Sequence, residues 1–459
     1  MDARGAEQRK SPLDRLLGLA ADVRAGEGVT VLLLAFNGFL LLAAYYAIRP
    51  LRSALLLLEN VRLPTGMVIE GPQITSYLGA VLAAVFLVIV PLYSAFASRV
   101  TRIRLINSVT AFFIATLLVF FVVVSSRVSP VAVGMLYYVW LGVFSLMVIA
   151  QFWSFANDLY TPEQGKRLFA IVGFGGTVGA ASGALLAQLA ARWGARMMII
   201  AAVLLTSSVV LTNIIHKRDH RPRKTNKQVK DAAPEESIGG RGGFQLVLSE
   251  PYLLAIGLVT LIGNLVNTNG NFILNTTVRD MAAVAAQSGG GETARQVVLS
   301  TMAGVDLWQN LLVMAIQFFL VSRIFKYLGV GRALFILPLI SLGSYSLFAF
   351  APVLSMIRIA KVTENATDYS LQNTVRRALF LPTSREAKYK ALQAIETFFW
   401  RAGDLVSSLA VLVFIQFLNV SVRAFAGVNI AAVAVWLVLA AYLSRANRRM
   451  TGEAERVAA

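Results

Sequence analysis

Two arginines stand three positions apart inside a long apolar stretch, AAYYAIRPLRSALLLL (residues 43–58). At this spacing Arg49 and Arg52 lie on one face of a helix, and guanidinium groups bind phosphate and carboxylate oxygens through paired hydrogen bonds. Pro50, between them, has no N–H and leaves the carbonyl of Tyr46 without its helical donor. Two cations and a free carbonyl in one place predict an anion-binding site. The alternative is that both side chains reach the outer membrane interface.

Other charged side chains lie in apolar runs of the second half of the chain. Two cation–acid pairs have the three-residue spacing at which side chains meet on a helix: Lys361 with Glu364, and Arg401 with Asp404. Some of these are expected to be structural ion pairs, and others to couple charge to function. Asp306, in a further apolar run, is a third candidate acid that faces a central path or belongs to its outer mouth.

Amides and aromatic rings complete the candidate chemistry. The stretch GNLVNTNGNFILN (residues 263–275) holds five asparagines, which either line a polar path or are wet in an unwound segment. Aromatic side chains near the arginines and in the fourth apolar run either stack on a planar base or pack as interface anchors: Tyr45, Tyr46, Phe152 and Trp153.

The predicted substrate-binding residues are Tyr46, Arg49, Arg52, Trp153, Asn267, Lys361 and Arg401, together with position 156. Position 156 is an alanine, Ala156, and the asparagine of that stretch is its neighbour Asn157. The charge-coupling candidates are Asp306, Glu364 and Asp404. Since all the embedded acids lie in the second half, we expect the counter-ion of the two arginines to be a transported anion, exchanged with a carboxylate when the site is empty.

Composition determines which elements position these residues. The 459 residues are 57% hydrophobic and 14% charged, with a mean hydropathy of +0.67, which indicates a multi-pass membrane protein. Cysteine is absent, and the only two histidines, His216 and His220, lie in a basic loop. We therefore expect no metal site and no cofactor, and a transporter in place of an enzyme. A membrane-bound lipid-modifying enzyme is the least favoured alternative.

Apolar runs long enough to cross a bilayer need about 20 residues. The sequence predicts twelve, near 29–57, 75–97, 105–126, 130–156, 168–191, 197–216, 251–276, 301–322, 333–352, 353–375, 393–418 and 424–444. The predicted domains are a cytoplasmic segment (1–28), two six-helix bundles (29–216 and 251–444), a basic cytoplasmic linker between them (217–250) and a cytoplasmic tail (445–459). A short surface helix or a loose tail is expected around residues 13–20.

Lysine and arginine alternate strongly between the loops of this topology. Of the 42 basic residues, 30 fall on the side of the termini, seven on the opposite side and five inside spans. The positive-inside rule therefore places both termini in the cytoplasm. The formal charge of +18 fits this asymmetry and anionic lipid, and no nucleic-acid partner is expected.

The two halves repeat. SRVTR (98–102) corresponds to SRIFK (322–326), and TPEQGKR (161–167) corresponds to TSREAKY (383–389), at offsets of 224 and 222 residues. A parallel repeat of six-helix halves is the plan of major facilitator transporters, and the sequence thus predicts an all-α membrane protein of that type. Glycines 175, 179 and 183 in the fifth run permit close helix contact, with ordinary packing as the simpler explanation.

Three stretches carry a resemblance to the ATP/ADP translocase (nucleotide transporter) family: AIRPLRSAL (47–55), FWSFANDLYTPEQGKRLFAIVG (152–173) and DYSLQNTVRRALFLPTSREAKYKALQAIE (368–396). The resemblance implies that Arg52 occupies the place of a cation linked to nucleotide transport. It also implies a monomer in the inner membrane of a bacterial cell. Where family members carry acids in the fourth and seventh spans, this chain has Leu141 and Asn267.

Together these features predict a secondary transporter that works by alternating access. Its expected substrate is an organic anion, either a nucleotide taken in ATP/ADP-type exchange or a phosphorylated metabolite. The rival interpretation is a proton-coupled exporter of another solute. Proton symport through Glu364 or Asp404 is a further alternative.

Overall fold

The computed structural model describes residues 12, 23–97, 99–126, 130–219, 243–350, 353–384 and 386–458. The predicted surface helix around residues 13–20 lies outside the described residues. Most of the basic linker, residues 220–242, lies outside them as well. The described chain is helical apart from short turns and one β-hairpin.

Between residues 23 and 219 the described residues form seven helices and the hairpin. In order they are α1 (Gly28–Ile48), α2 (Leu51–Leu56), β1 (Asn60–Arg62), β2 (Val68–Glu70), α3 (Gly71–Ala97), α4 (Arg102–Ser125), α5 (Pro130–Leu159), α6 (Pro162–Leu189), a 3₁₀ turn (Ala191–Arg196) and α7 (Met197–Asp219). The residues of α6 begin with a capping box, in which Thr161 and Gln164 satisfy each other's backbone N–H groups.

From residue 243 onward the described residues form nine helices, several of them extended by π-helical turns. They are α8 (Gly243–Ser249), α9 (Pro251–Ala315), α10 (Val321–Ala333), α11 (Ile336–Phe350), α12 (Leu354–Thr367), α13 (Asn373–Ala378), α14 (Leu392–Ala394), α15 (Trp400–Ala410) and α16 (Val422–Ala458). The π turns are Ile316–Leu320, Asp368–Gln372, Ala387–Ala391, Ile395–Phe399 and Val411–Phe417. Within α9 the backbone bends at Gly290, whose φ of 71° favours glycine.

Ten helices in the described chain are long and apolar enough to cross a membrane. The two other predicted spans are also helical, but neither has a span's length and apolarity. Ile336–Phe350 has only 15 residues, and the segment from Leu354 to Ala378 carries several charges. The prediction of a multi-pass, all-helical protein is therefore confirmed. Of the twelve predicted membrane-spanning helices, ten are confirmed as long and apolar enough among the described residues.

The chain forms two compact units. The first consists of described residues within Met1–Leu55, Phe86–Thr225 and Leu299–Leu307. The second consists of described residues within Leu56–Val85, Asn226–Val298 and Trp308–Ala459. The borders of the two predicted six-helix bundles stay a prediction.

In the first unit α1 packs most extensively on α6. A Cβ added to Gly175, Gly179 or Gly183 would lie 2.3 Å from a backbone carbonyl oxygen of α1, which belongs to Ala35, Phe39 and Ala43 respectively. Because no side chain fits that space, the small-residue stripe brings the two backbones into direct contact. The predicted close approach is thus confirmed as a packing feature.

We expect Gly179→Leu to lower the free energy of unfolding, because its side chain would push α6 away from α1. Overpacking of this kind costs about 1–3 kcal/mol or more. Thermal unfolding of the purified protein measures the effect. Gly343→Ala is the control, since a Cβ at Gly343 meets no atom within 4 Å. Equal melting temperatures for the two variants would contradict the packing model.

The β-hairpin of the second unit was not predicted from the sequence. Its strands pair antiparallel with Asn60 opposite Glu70, and Gly66 turns the chain with a φ of 81°. Arg279 of α9 forms an ion pair with Glu70 and donates to the side-chain oxygen of Asn60 at 2.7 Å. Arg295 is 3.2 Å from Glu59. Ion pairs and a hydrogen bond therefore attach the hairpin to α9. Their arginines, Arg279 and Arg295, were expected in a loop on the basis of the sequence.

At the start of α1 in the first unit, Glu27 is the acceptor of a polar clamp. Both amino groups of the Arg167 guanidinium donate to its carboxylate at 3.0 and 3.1 Å, and Gln164 donates at 3.0 Å. Burial alone raises the pKa of Glu27, but the hydrogen bonds from Arg167, the Arg24 backbone and Gln164 outweigh it. The pKa therefore lies below the usual value of 4.5.

Because the pKa of Glu27 is lower in the folded than in the unfolded protein, the clamp stabilises fully above the unfolded pKa. That contribution is lost as the pH falls through the folded-state pKa. We expect the melting temperature of Glu27→Gln to be lower than that of the wild type near pH 7. The difference between the two melting temperatures should shrink below about pH 4. Arg167→Ala should show the same pH dependence. A melting difference that is constant across this range would contradict the clamp.

Candidate functional site

The first apolar helix is interrupted where the sequence places the two arginines. Helix α1 ends at Ile48 and α2 begins at Leu51, so Arg49 and Pro50 form the turn between them. The N–H of Arg52 donates to the carbonyl of Arg49 at 3.3 Å in place of its helical partner, the carbonyl of Ile48. The hydroxyl of Tyr137 donates to that carbonyl at 3.1 Å. The break is thus held open by a bond that the sequence pattern did not reveal.

Arg49 forms an ion pair within the first unit. Its guanidinium lies 3.1 Å from the carboxylate of Asp306, and the two side chains are only 17% and 10% exposed. The ring of Tyr46 lies beneath the guanidinium, 5.3 Å from its central carbon. The sequence analysis expected a carboxylate of the second half to pair with the arginines when no anion is bound. In this structure Asp306 is the carboxylate that pairs with Arg49.

Arg52 lies beside the same pair without joining it. Its guanidinium is 5.2 Å from the centre of the Tyr138 ring, and Arg52 is close enough to Asp306 to interact with it electrostatically. Within the described chain, no carboxylate lies within 4 Å of Arg52. Two cations and one carboxylate leave a local excess of one positive charge.

Aromatic side chains pack behind the arginines. The rings of Tyr137, Trp140 and Phe144 on α5 stack in sequence, with centroids 5.6 and 5.5 Å apart. Tyr45 on α1 meets Phe144 at 6.3 Å. Leu141 on the same helix is fully buried. This wall gives the arginine turn an apolar, rigid backing on one side.

The predicted residues of the fourth span lie elsewhere on α5. Trp153 is half-buried and meets Phe152 and Phe169 edge to face, at 5.4 and 5.8 Å. Ala156 is fully buried, whereas its neighbour Asn157 is exposed. Position 156 therefore offers no polar atom to a ligand, and that part of the predicted site is wrong as a side-chain contact.

In the second unit Lys361 is enclosed completely. Its ammonium group donates to Glu364 at 3.0 Å and to the carbonyl of Asn267 at 2.8 Å, with 0% of the side chain exposed. Glu364 also accepts a bond from Ser341 at 2.8 Å. The hydroxyl of Tyr345 lies 3.0 Å from Glu364 and 2.9 Å from the carbonyl of Val266, and donates to one at a time. In this conformation Lys361 belongs to a closed structural network.

The second predicted pair connects α15 to α9. Arg401 lies 3.1 Å from one oxygen of Asp404. The other oxygen accepts bonds from Asn264 at 2.8 Å and Thr268 at 3.0 Å. With 34% of its side chain exposed, Arg401 is the more accessible member of the pair. Asp404 thus links α15 to α9 through its hydrogen bonds, while the side chain of Arg401 stays partly exposed.

The asparagines of α9 bond sideways to neighbouring helices of the second unit. Asn267 donates to Asn365 at 2.9 Å, and Asn365 donates to Gln309 at 2.9 Å. Asn269 donates to Asn429 at 2.8 Å and accepts from Ser407 at 2.7 Å. The helix is continuous through this stretch, so the alternative of an unwound, wet segment is wrong.

Sequence reasoning missed several members of these networks. Ser341 and Tyr345 both donate to Glu364. Tyr137 donates to the carbonyl of Ile48, next to Arg49, and Asn429 accepts from Asn269 in the asparagine stretch. Gly270 has a sequence signal, since it stands within the asparagine stretch. A Cβ there would lie 2.1 Å from the Tyr345 hydroxyl and 3.0 Å from the Lys361 ammonium group. Its lack of a side chain is what admits both groups to α9.

We expect Lys361→Ala to destabilise the protein by about 3–5 kcal/mol, because it leaves the Glu364 carboxylate buried without its cation. Thermal unfolding and yield of folded protein measure the loss. Lys361→Met combined with Glu364→Met should recover a large part of it, since it removes both charges. Lys326→Ala changes an exposed lysine and serves as the control. Wild-type stability in Lys361→Ala would contradict a structural role.

No family model matches the chain. The sequence is 20% identical over 348 residues to ADP,ATP carrier protein 1 of Chlamydia pneumoniae, and the match covers 66% of this chain and 64% of the carrier. The match thus spans somewhat less than two thirds of the carrier's length. The similarity supports the predicted resemblance without extending it to the substrate.

Solved structures match over nearly the whole chain. The nucleoside transporter NupG superimposes with a TM-score of 0.60 at 13% identity, covering 89% of this chain and 98% of that one. A bacterial homologue of the human lysosomal transporter Spinster gives 0.55 at 13% identity, covering 92% and 97%. The chain has the major facilitator fold. All three relatives are described as transporters or carriers, in agreement with the prediction of a transporter and not an enzyme.

Proposed function

We propose that the protein is a secondary transporter that exchanges organic anions, either nucleotides or phosphorylated metabolites, across a bacterial inner membrane by alternating access. The major facilitator fold supports alternating access as the mechanism. The similarity to an ADP,ATP carrier supports an anionic, phosphate-bearing substrate. Both are general indications, and the choice of substrate site depends on the arginine turn.

The observation that carries the proposal is the contact of Arg49 with Asp306 beside Arg52. Arginine at mid-bilayer costs about 2.5–3.5 kcal/mol on insertion scales, so a second arginine without a carboxylate is retained at a cost. An arriving phosphate would cancel the excess charge, and the forked guanidinium groups match its oxygens bidentately. The turn between α1 and α2 adds polar backbone at the same point.

Asp306 acts in this proposal as the internal counter-ion of the empty carrier. Without substrate it compensates Arg49, and when an anion binds, phosphate oxygens take over that role. Each state then presents a compensated Arg49, while Arg52 is compensated only when the anion is bound. Exchange of one anion for another is therefore easier than return of the empty carrier, because only exchange keeps both cations neutralised.

Aromatic rings lie where a nucleobase can use them. Tyr46 and Tyr138 lie against the two guanidinium groups, and the face of an aromatic ring is a surface on which a planar base stacks. The predicted contributions of Asn267, Lys361 and Arg401 to substrate binding stay proposals. The side chain of Arg401 is 34% exposed, whereas that of Lys361 is 0% exposed.

The decisive experiment is exchange in proteoliposomes loaded with nucleotides or phosphorylated metabolites. We expect Arg52→Ala to reduce exchange about ten- to a hundredfold, because a charge-assisted hydrogen bond contributes about 1.5–3 kcal/mol. Arg52→Lys should retain part of the activity, since it keeps the charge without the fork. Arg104→Ala, which changes an exposed arginine of α4, is the matched control.

Asp306→Asn separates the roles of the two arginines from that of their counter-ion. It should bind anions more tightly, because the competing carboxylate is gone, and should slow efflux into substrate-free medium more than exchange. Full exchange in Arg52→Ala would contradict the arginine site. Absence of exchange in the wild type with every anion of these classes, together with proton-driven export of another solute, would favour the rival interpretation.

A further inference from the structure

A second buried charge cluster lies in the second unit, in the segment that joins α12 to α13. Asp368 opens the π turn Asp368–Gln372 and is only 9% exposed. In the described part of the chain its carboxylate accepts no hydrogen bond and has no cation within 4 Å. Asp368 is thus a buried acid that the sequence does not single out as a candidate site residue.

Unsatisfied polar atoms surround the same point. A small cavity of about 10 Å³ is lined by Asp368, Gln372, Arg376, Trp400 and Trp436. The side-chain oxygen of Gln372, the Nε of Arg376 and the Nε1 of Trp436 are buried without a hydrogen-bond partner among the described residues. Native structures leave few such atoms unsatisfied. A polar molecule in the cavity would supply the hydrogen bonds that these atoms lack. Its size is near the minimum that one water molecule needs.

The charges that face Asp368 are all identified. Arg376, Glu364 and Lys361 interact with it electrostatically from its own helical segment. The residues that the neighbouring helices contribute to the cavity are uncharged, and its polar ones are Thr260, Asn264, Trp400 and Trp436. Lys361 and Glu364 already neutralise each other at 3.0 Å. The guanidinium of Arg376 lies over Trp400 at 4.8 Å and donates to Asn373 at 3.3 Å. Asp368 is therefore the one acid of this cluster whose charge is not consumed by a direct ion pair.

We propose that Asp368 is a proton-binding site, at which a carboxyl group takes up and releases a proton through a water molecule in the adjoining cavity. A buried ionised carboxylate without hydrogen bonds is costly, and a proton removes its charge. The Nε of Arg376 and the Nε1 of Trp436 donate to the water oxygen, and the water donates to Asp368 or to Gln372. The π turn widens the helix at this point, as π turns at functional sites often do.

Proton binding at Asp368 does not depend on the proposed transport function. Only its effect on transport rests on that function. If the protein is an anion transporter, a proton at Asp368 changes the charge of the α12–α13 segment by one and removes the attraction between Asp368 and Arg376. A pH gradient would then bias transport. Earlier candidates for this role, Glu364 and Asp404, are each held by an ion pair and by two or more further hydrogen bonds.

Infrared titration of the purified full-length protein tests the site without any substrate. We expect a pH-dependent carbonyl band of a protonated carboxyl group that is absent in Asp368→Asn and retained in Asp158→Asn, which changes an exposed acid. Asp368→Glu should keep the band with a shifted midpoint, and this variant decides the question if Asp368→Asn does not fold. A band that persists unchanged in both variants would overturn the proposal.

Transport assays then separate this proposal from the previous one. In proteoliposomes, Asp368→Asn should keep anion exchange at equal pH on both sides and lose the stimulation by a pH gradient. If no anion of the proposed classes is transported by the wild type, the substrate proposal fails, while the infrared result still decides the proton site. If exchange by the wild type ignores the pH gradient although Asp368 titrates, its coupling role is refuted.

Discussion

Compensation of buried positive charge is the constraint on which the rest of this structure depends. In apolar surroundings an unpaired cation is costly, and the cost falls only when an acid, a dipole or a ligand is held against it. Three cations that the sequence places in apolar runs, Arg49, Lys361 and Arg401, have carboxylates at 3.0–3.1 Å. The pair of Arg49 and Asp306 joins elements that are distant in sequence, so charge as well as shape determines where these elements lie.

The three pairs differ in whether they can open. Lys361 with Glu364 and Arg401 with Asp404 are three residues apart on one helix, so movement of helices leaves each pair intact. Their acids accept additional bonds from hydroxyl and amide groups, which adds to the cost of breaking them. Arg49 and Asp306 belong to different helices distant in sequence. This pair alone among the three can separate by rigid movement of helices, and that property suits a counter-ion that alternates with a substrate.

Local sequence features predicted local structure well. The break at Arg49 and Pro50 follows from the missing N–H of proline, and the contact of α6 with α1 follows from glycines spaced four apart. The membrane-spanning character of ten helices follows from their apolar length. The identity of Asp306 as the partner of Arg49 does not follow from spacing, because it depends on how distant helices pack.

Other features that depend on tertiary packing could not be predicted from the sequence for the same reason. The bond from Tyr137 to Ile48, the hairpin held by Arg279 and the burial of Asp368 involve residues whose neighbours in sequence give no signal. Span boundaries judged by hydropathy also place charged residues near interfaces by default. Hydropathy gives no sign that Asp368, inside the predicted run 353–375, is buried, because its burial depends on the helices that pack around it.

The asparagines of α9 show how a membrane protein specifies helix register with little help from the hydrophobic effect. Lipid tails are as apolar as leucine, so apolar contact alone distinguishes poorly between alternative alignments of two helices. Amide pairs such as Asn267 with Asn365 and Asn269 with Asn429 distinguish them well, because a shift of one residue leaves buried donors and acceptors unsatisfied. A helix fixed in this way moves only together with its partners, which favours rigid movement of whole groups of helices over local sliding.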